Sequence, residues 1–331
     1  MRAFAFDAYT QPVREVEIPE PSVGAGDLLV RVEAVGLNLL DEMIRKGEFK
    51  ALLRYKAPLT LGHDVAGTVI RVGSDVRSFS PGDRVYARVR DYRIGTLTER
   101  VAVDQADVAR APASVDIVEA GSLPLVSLTA WQALVEIGKV GAGQKVLIHA
   151  GAGGVGTIAI QLAKHLGAHV ATTASAKNAD YLRELGADVV IDYRSQDFSA
   201  ELEGYDFVLD SLGGDNLMSS LNVLRPGGVA VGISGPPTPA FAARAGLNPV
   251  LRLVMAGLSR RVRKAAAKRG VRYEFLFMRA DGEQLRRIAE LVDAGAIRPV
   301  VGATYPFDQT PAALASLHAS GTRGKTVVLG A

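Results

Sequence analysis

A chain of 331 residues is long for one domain and comfortable for two, and at this size it buries about three quarters of its unfolded surface. It contains no Cys, which excludes disulfides, thiolate nucleophiles and every Cys-ligated zinc site. The formal net charge is only +3, and no run approaches the ~18 consecutive apolar residues of a membrane span.

The N-terminus, MRAFAFDAY, enters a strand pattern at once and leaves no room for a charged-then-apolar signal segment, so a cytoplasmic protein is expected. Around Val30, Val32 and Ala34 apolar side chains alternate with Arg31 and Glu33, the period of a half-buried strand. Further short strands are expected at Val65–Val72 and Arg84–Val89, with turns at Gly26-Asp27, Gly73-Ser74 and Pro81-Gly82-Asp83. This predicts a small, mostly antiparallel β domain. A helix over about Thr129–Ile137 leads out of it.

Residues 145–156 read KVLIHAGAGGVG, a buried strand running into a glycine turn and a helix. Gly151, Gly153 and Gly156 have the spacing G-x-G-x-x-G. Gly151 permits the tight turn, Gly153 lets a pyrophosphate approach the backbone, and Gly156 lets the helix pack closely on the strand. With Ala152, Gly154 and Val155 they offer free N–H groups at the positive end of a helix dipole. Glycine-rich turns also occur as plain loops, but here the context supports a dinucleotide site. The helix has one apolar face (Val155, Ile158, Ala159, Leu162, Ala163, Leu166), and strands at His169–Thr173 and Val189–Asp192 complete a βαβαβ unit.

NAD-binding sheets usually end the second strand on Asp or Glu, which accepts hydrogen bonds from the ribose 2′-hydroxyl. Here that position is Ala174, followed by Ser175 and Lys177, with Tyr193 and Arg194 closing the third strand alongside. Charge-assisted bonds to a 2′-phosphate contribute roughly 1.5–3 kcal/mol each, so NADPH is expected to be favoured over NADH.

Later strands at Phe207–Asp210, Val229–Ile233 and Tyr273–Phe277 bring the parallel sheet to six. The tail from Gly282 holds one amphipathic helix and short strands ending in TVVLG, too little to stand alone, so it is expected to return to the β domain. The edge segment Tyr273–Met278 (YEFLFM) reads as apolar on both faces and predicts a homodimer by sheet continuation. Between Pro236 and Tyr273 stand nine basic residues and no acid, leaving −6 for the remainder. Leu247, Leu251, Val254, Leu258 and Val262 recur at helical spacing within it. That stripe on a basic back predicts either a helix packed on the dimer partner or a weak contact with an anionic membrane through Arg252–Arg272. The segment has almost no aromatics, which argues against nucleic acid.

Nine collinear blocks, among them AVGLNLLDEMIRKG (Ala34–Gly47), GHDVAGTVIRVG (Gly62–Gly73), HAGAGGVG, LGADVVIDYR (Leu185–Arg194) and GTRGKTVVL (Gly321–Leu329), make the chain resemble the medium-chain dehydrogenase/reductase superfamily. Within it the resemblance is to the zinc-free NADPH:quinone oxidoreductases and the 2-alkenal or enone reductases. It implies an α/β fold: a Rossmann domain over residues 122–280 and a discontinuous GroES-like β domain over 1–121 and 281–331, with the active site in the cleft between them.

The zinc-dependent members place Cys, His and Cys where this chain has Asn38, His63 and Leu125, and one nitrogen ligand cannot hold zinc. No metal is therefore expected. Hydride transfer to a quinone, or to the β-carbon of an α,β-unsaturated carbonyl, relaxes the need for a Lewis acid, because the developing charge is delocalised. The resemblance places Asn38 beside the nicotinamide, as a donor or orienting group, although it also suits the cap of a helix beginning at Leu39. His63 is a wall residue or, less directly, a catalytic one. Thr129 would contact the cofactor, and Arg323 with Lys325 resembles a C-terminal cofactor-binding pair. Met43 stands where many relatives have Tyr, so no proton donor is named. The alternative to an enzyme is an NADPH-binding protein with a sensing, scaffold or nucleic-acid-binding role.

Overall fold

The computed structural model describes residues 1–50, 52–318 and 323–331. The chain divides into two compact units, one of Met1–Leu128 with Arg279–Ala331, the other of Thr129–Met278.

The first unit begins with strands β1 (Arg2–Phe6), β2 (Arg14–Glu17) and β3 (Asp27–Gly36), then helix α1 (Leu39–Lys46). Strands β4 (Leu59–Thr60), β5 (Asp64–Val72), β6 (Arg84–Arg88), β7 (Arg100–Asp104) and β8 (Val108–Arg110) follow, and helices α2 (Ile117–Gly121) and α3 (Pro124–Trp131) lead out. The long β3 pairs antiparallel with both β5 and β7. Arg31 faces outward as the alternation predicts, but Leu28, Leu29 and Val30 are all buried. The expected exit helix starts earlier, at Pro124, and its Gln132–Ile137 portion widens into π-helical turns.

The second unit comprises β9 (Lys145–Ile148), α4 (Gly154–His165), β10 (His169–Ala174), α5 (Ala179–Glu184), β11 (Val189–Asp192), α6 (Phe198–Glu201), β12 (Tyr205–Asp210), α7 (Gly214–Val223) and β13 (Leu224–Gly232). Helices α8 (Pro239–Arg244), α9 (Pro249–Leu258) and α10 (Arg260–Lys268) precede β14 (Arg272–Phe275). The six strands are parallel in the order β11-β10-β9-β12-β13-β14. Strand order reverses between β9 and β12, and doubly wound sheets hold ligands outside the carboxyl ends of the strands at such a switch point.

Two expectations for this unit are corrected. The stripe from Leu247 to Val262 is not one helix face: the chain breaks at Ser259, whose hydroxyl bonds Met255 O at 2.7 Å, so Leu258 points to solvent while Val262 is buried. The edge strand is shorter than YEFLFM and not apolar on both faces. Arg272 is exposed and half-buried Glu274 lies 3.7 Å from Arg244, so only Tyr273 and Phe275 are buried within it.

The tail consists of α11 (Gly282–Asp293), β15 (Val301–Tyr305), α12 (Thr310–Ser316) and β16 (Lys325–Leu329). β16 pairs antiparallel with β3, Val327 opposite Gly36 and Leu329 opposite Ala34, which closes the first unit around residues separated by most of the chain. Among the described residues no helix is long and apolar enough to cross a membrane.

Candidate dinucleotide site and a buried ion cluster

In the second unit the glycine turn lies between β9 and α4. The tight turn is made not by Gly151 but by Ala150, at φ 52°. Gly151 is needed for space: a Cβ there would stand 2.1 Å from Thr172 Oγ1. Gly156 is likewise fixed by packing, with Ala150 O at 2.4 Å from the Cβ position. Gly153 differs, since a Cβ there would meet nothing nearer than Ala150 O at 3.4 Å. The space beside its backbone is open to a ligand. Gly153 caps α4, so the N–H groups of Gly154, Val155 and Gly156 have no acceptor inside the helix. Together with half-exposed Ala152 they form an anion-binding surface.

The carboxyl ends of β10 and β11 lie side by side, Ala174 opposite Asp192, with Tyr193 N–H donating to Ala174 O at 3.2 Å. Ser175 is buried and its hydroxyl accepts from Asn178 Nδ2 at 3.3 Å. Lys177 and Tyr193 are exposed, and the Arg194 guanidinium lies 5.8 Å from the Tyr193 ring centroid. The neighbouring carboxylate of Asp192 accepts from Arg194 N–H at 3.2 Å and Ser195 Oγ at 3.0 Å. An apolar Ala174 flanked by a hydroxyl, two cations and an aromatic ring fits a dinucleotide with an added phosphate. Thr129 belongs to this unit and is buried within α3.

The first unit gathers Asn38, Asp41, His63, Asp64 and Lys325, all buried. Asn38 heads α1, and its N–H donates to Asp41 Oδ2 at 2.9 Å. The Asn38 side chain turns inward: Nδ2 donates to Gly36 O and to Asp64 Oδ2, both at 3.1 Å, and Oδ1 accepts from Lys325 Nζ at 2.6 Å. Lys325 also donates to Leu37 O at 2.6 Å and faces Asp64 Oδ2 at 3.4 Å, while Leu125 N–H donates to Asp64 Oδ1 at 2.8 Å. Burial pushes the Asp64 carboxyl up and the Lys325 ammonium down, and each opposes the other's shift. His63 Nδ1 lies 2.6 Å from Asp41 Oδ1, and its buried Nε2 has no partner among the described residues.

Two expectations change here. Asn38 is not a free donor, because both hydrogens of its amide are committed and only one lone pair of Oδ1 remains. Lys325, expected to share a cofactor-binding role with Arg323, is buried with its three hydrogens directed at Leu37, Asn38 and Asp64, whereas Arg323 is exposed. Zinc does not fit at Asn38, His63 and Leu125, because the Asn38 oxygen is held by an ammonium and Leu125 contributes only an apolar side chain. Sequence reasoning missed Asp64 as the centre of this cluster. A lysine opening the otherwise apolar run KTVVL was the available signal, since a buried cation needs a carboxylate.

Residues 24–113 match the alcohol dehydrogenase GroES-like domain family, and residues 185–328 match the zinc-binding dehydrogenase family. The mouse NAD(P)H oxidoreductase RTN4IP1, mitochondrial, is 37% identical over 324 residues, covering 91% of this chain and 81% of its own. The Arabidopsis thaliana NADPH-dependent alkenal/one oxidoreductase, chloroplastic, is 32% identical over 95% of this chain and 75% of its own. Among solved structures, the quinone oxidoreductase of Coxiella burnetii superposes with a TM-score of 0.83 at 30% identity, covering 99% of each chain. The Escherichia coli quinone oxidoreductase complexed with NADPH gives 0.81 at 26% identity, covering 99% of this chain and 100% of its own. The chain belongs to the medium-chain dehydrogenase/reductase superfamily, among its quinone and alkenal oxidoreductases.

Proposed function

We propose that the protein is an NADPH-dependent oxidoreductase that reduces an apolar conjugated acceptor, either a quinone or an α,β-unsaturated carbonyl at its β-carbon, without a metal. The observation that carries the reading is the glycine turn with an open face at Gly153 and no carboxylate at Ala174. Bound there, the dinucleotide supplies the hydride. The N–H groups of Gly154–Gly156 would hold its pyrophosphate, and Ser175, Lys177 and Tyr193 would hold the adenosine end. Asn38, immobilised by Lys325 and Asp64, offers an acceptor oxygen and no donor. The proton that completes reduction comes from solvent.

The test is NADPH consumption against alkenals, cyclic enones, benzoquinones and naphthoquinones, with product identification. Reduction of the C=C bond or of the quinone is expected. NADPH binding without turnover on any member of the panel overturns the enzymatic reading in favour of a sensing or scaffold role.

We also infer two partners. A homodimer through β14 is supported by its position at the end of the six-stranded sheet, where among the described residues it pairs with β13 alone. Contact with an anionic membrane surface is supported by α9, where Val250, Leu253, Val254 and Leu258 are all at least half exposed. Arg252, Arg260, Arg261, Arg263 and Lys264 flank this apolar stripe, an amphipathic arrangement suited to a negatively charged interface.

A further inference from the structure

His149 lies between the last residue of β9 and Ala150, and it is buried against Phe198, with ring centroids 4.7 Å apart. Both ring nitrogens are engaged: Nδ1 is 3.0 Å from Thr173 Oγ1 on β10, and Nε2 is 2.8 Å from Ser220 Oγ on α7. The surrounding groups fix every proton. Ser220 Oγ lies 2.7 Å from Asn216 O, which can only accept, so the hydroxyl hydrogen points there and the imidazole must donate from Nε2. Nδ1 is then bare and accepts from Thr173. In turn Thr173 Oγ1 accepts from Ala150 N–H at 3.2 Å, and Thr173 O accepts from Gly151 N–H at 3.0 Å.

One directed chain therefore runs from Ala150 N–H through Thr173 Oγ1, His149 and Ser220 to Asn216 O. Its first member is the residue held in the left-handed conformation, φ 52°, a conformation that costs a non-glycine residue energy and persists only where its surroundings enforce it. The opposite tautomer would set a bare Nε2 against the lone pairs of Ser220 Oγ at 2.8 Å, because the Ser220 hydrogen is committed to Asn216 O, and would reverse the hydrogen bond to Thr173.

From this we infer that His149, in the Nε2–H tautomer, is a positioning residue that sets the backbone of the cofactor turn from α7. The inference rests on the reading of that turn as the dinucleotide site. With both ring nitrogens engaged by Thr173 and Ser220, His149 acts through Thr173 and Ala150. Ser220, on the far side of the ring, belongs to the same device although it lies on a different helix from the turn.

The test measures the NADPH dissociation constant and the KM and kcat values of the unmodified protein, of His149→Phe, which keeps a ring against Phe198, and of Ser220→Ala, the smaller change should His149→Phe fail to fold. Ser220→Ala is expected to weaken NADPH binding about fivefold, the scale of one hydrogen bond, with kcat at saturating NADPH retained. Nitrogen-15 shifts of His149 in the unmodified protein are expected to report Nε2–H. A dissociation constant unchanged by Ser220→Ala, or an Nδ1–H tautomer, overturns the inference and leaves the cofactor site standing. Failure of the unmodified protein to bind NADPH overturns the reading of the turn and this inference with it.

Discussion

Lys325 Nζ and Asp64 Oδ2 face each other at 3.4 Å with both side chains shielded from solvent. Residues 261 positions apart thus form the buried ion pair that immobilises Asn38. Removing one partner of such a pair strands the other charge, which costs about 3–5 kcal/mol. Lys325→Met should therefore lower unfolding free energy by that order in a urea titration, and Lys325→Met with Asp64→Leu should recover most of it. Equal stability of the unmodified and Lys325→Met proteins would show that the pair is not held as ions.

Two of the motif glycines should separate by substitution. Gly153→Ala makes only an ordinary van der Waals contact with Ala150 O at 3.4 Å, so its melting temperature should match the unmodified protein while NADPH binding weakens by about tenfold, since the methyl would take the place proposed for the pyrophosphate. Gly156→Ala forces the added carbon against Ala150 O and should lower the melting temperature as well. Differential scanning calorimetry with a parallel NADPH titration distinguishes the two.

The proposed preference for NADPH assigns cofactor choice to Ser175, Lys177 and Tyr193. Lys177→Ala should raise the KM for NADPH by about tenfold or more, the loss of one charge-assisted bond, and leave that for NADH nearly unchanged. Equal use of both cofactors by the unmodified protein would contradict the assignment.

Acid stability should carry the signature of His149. Burial holds this imidazole neutral, with its pKa pushed down to about 4 from an unfolded value of 6.5. The unfolded chain takes up the proton first, so the stabilising contribution is complete above pH 6.5 and is lost as pH falls from there to about 4. The loss amounts to about 3 kcal/mol across the window. Urea titrations at pH 7, 5.5 and 4.5 should show it, and His149→Phe should flatten that part of the profile.

The apolar stripe of α9 predicts flotation with anionic liposomes at low salt, weakened at high salt and abolished by Leu253→Glu. No association at low ionic strength would leave the stripe to another partner. Light scattering should find a dimer; a monomer near 34.9 kDa at micromolar concentration would count against pairing through β14.

The parallel sheet was legible because each strand and its glycine stop are local signals: Gly167 and Gly186 end helices at positive φ just where the apolar spacing runs out. Lys325 and His149 were not legible as they stand in the structure, because their partners lie in strands and helices that only the tertiary fold brings near. A histidine inside the apolar run KVLIHA was the one hint of a buried polar network. The break at Ser259 was hidden for a different reason: Leu258 and Val262 keep helical spacing across it, and periodicity cannot report a change of axis. Ala150 was passed over because glycine draws attention at tight turns, yet it is Ala150 that bends.

The pairing of β16 with β3 has a consequence for biosynthesis. All of Thr129–Met278 emerges from the ribosome before β16 exists, so the second unit can finish folding while the first still waits for a strand of its central sheet. Throughout that interval Asp64 lacks its counter-charge, and the carboxylate stays accessible to water until Lys325 arrives. Chaperone binding to stalled nascent chains should therefore persist on β3 and β5 after the later domain has become protease-resistant, which makes the final strand the step that commits the whole chain.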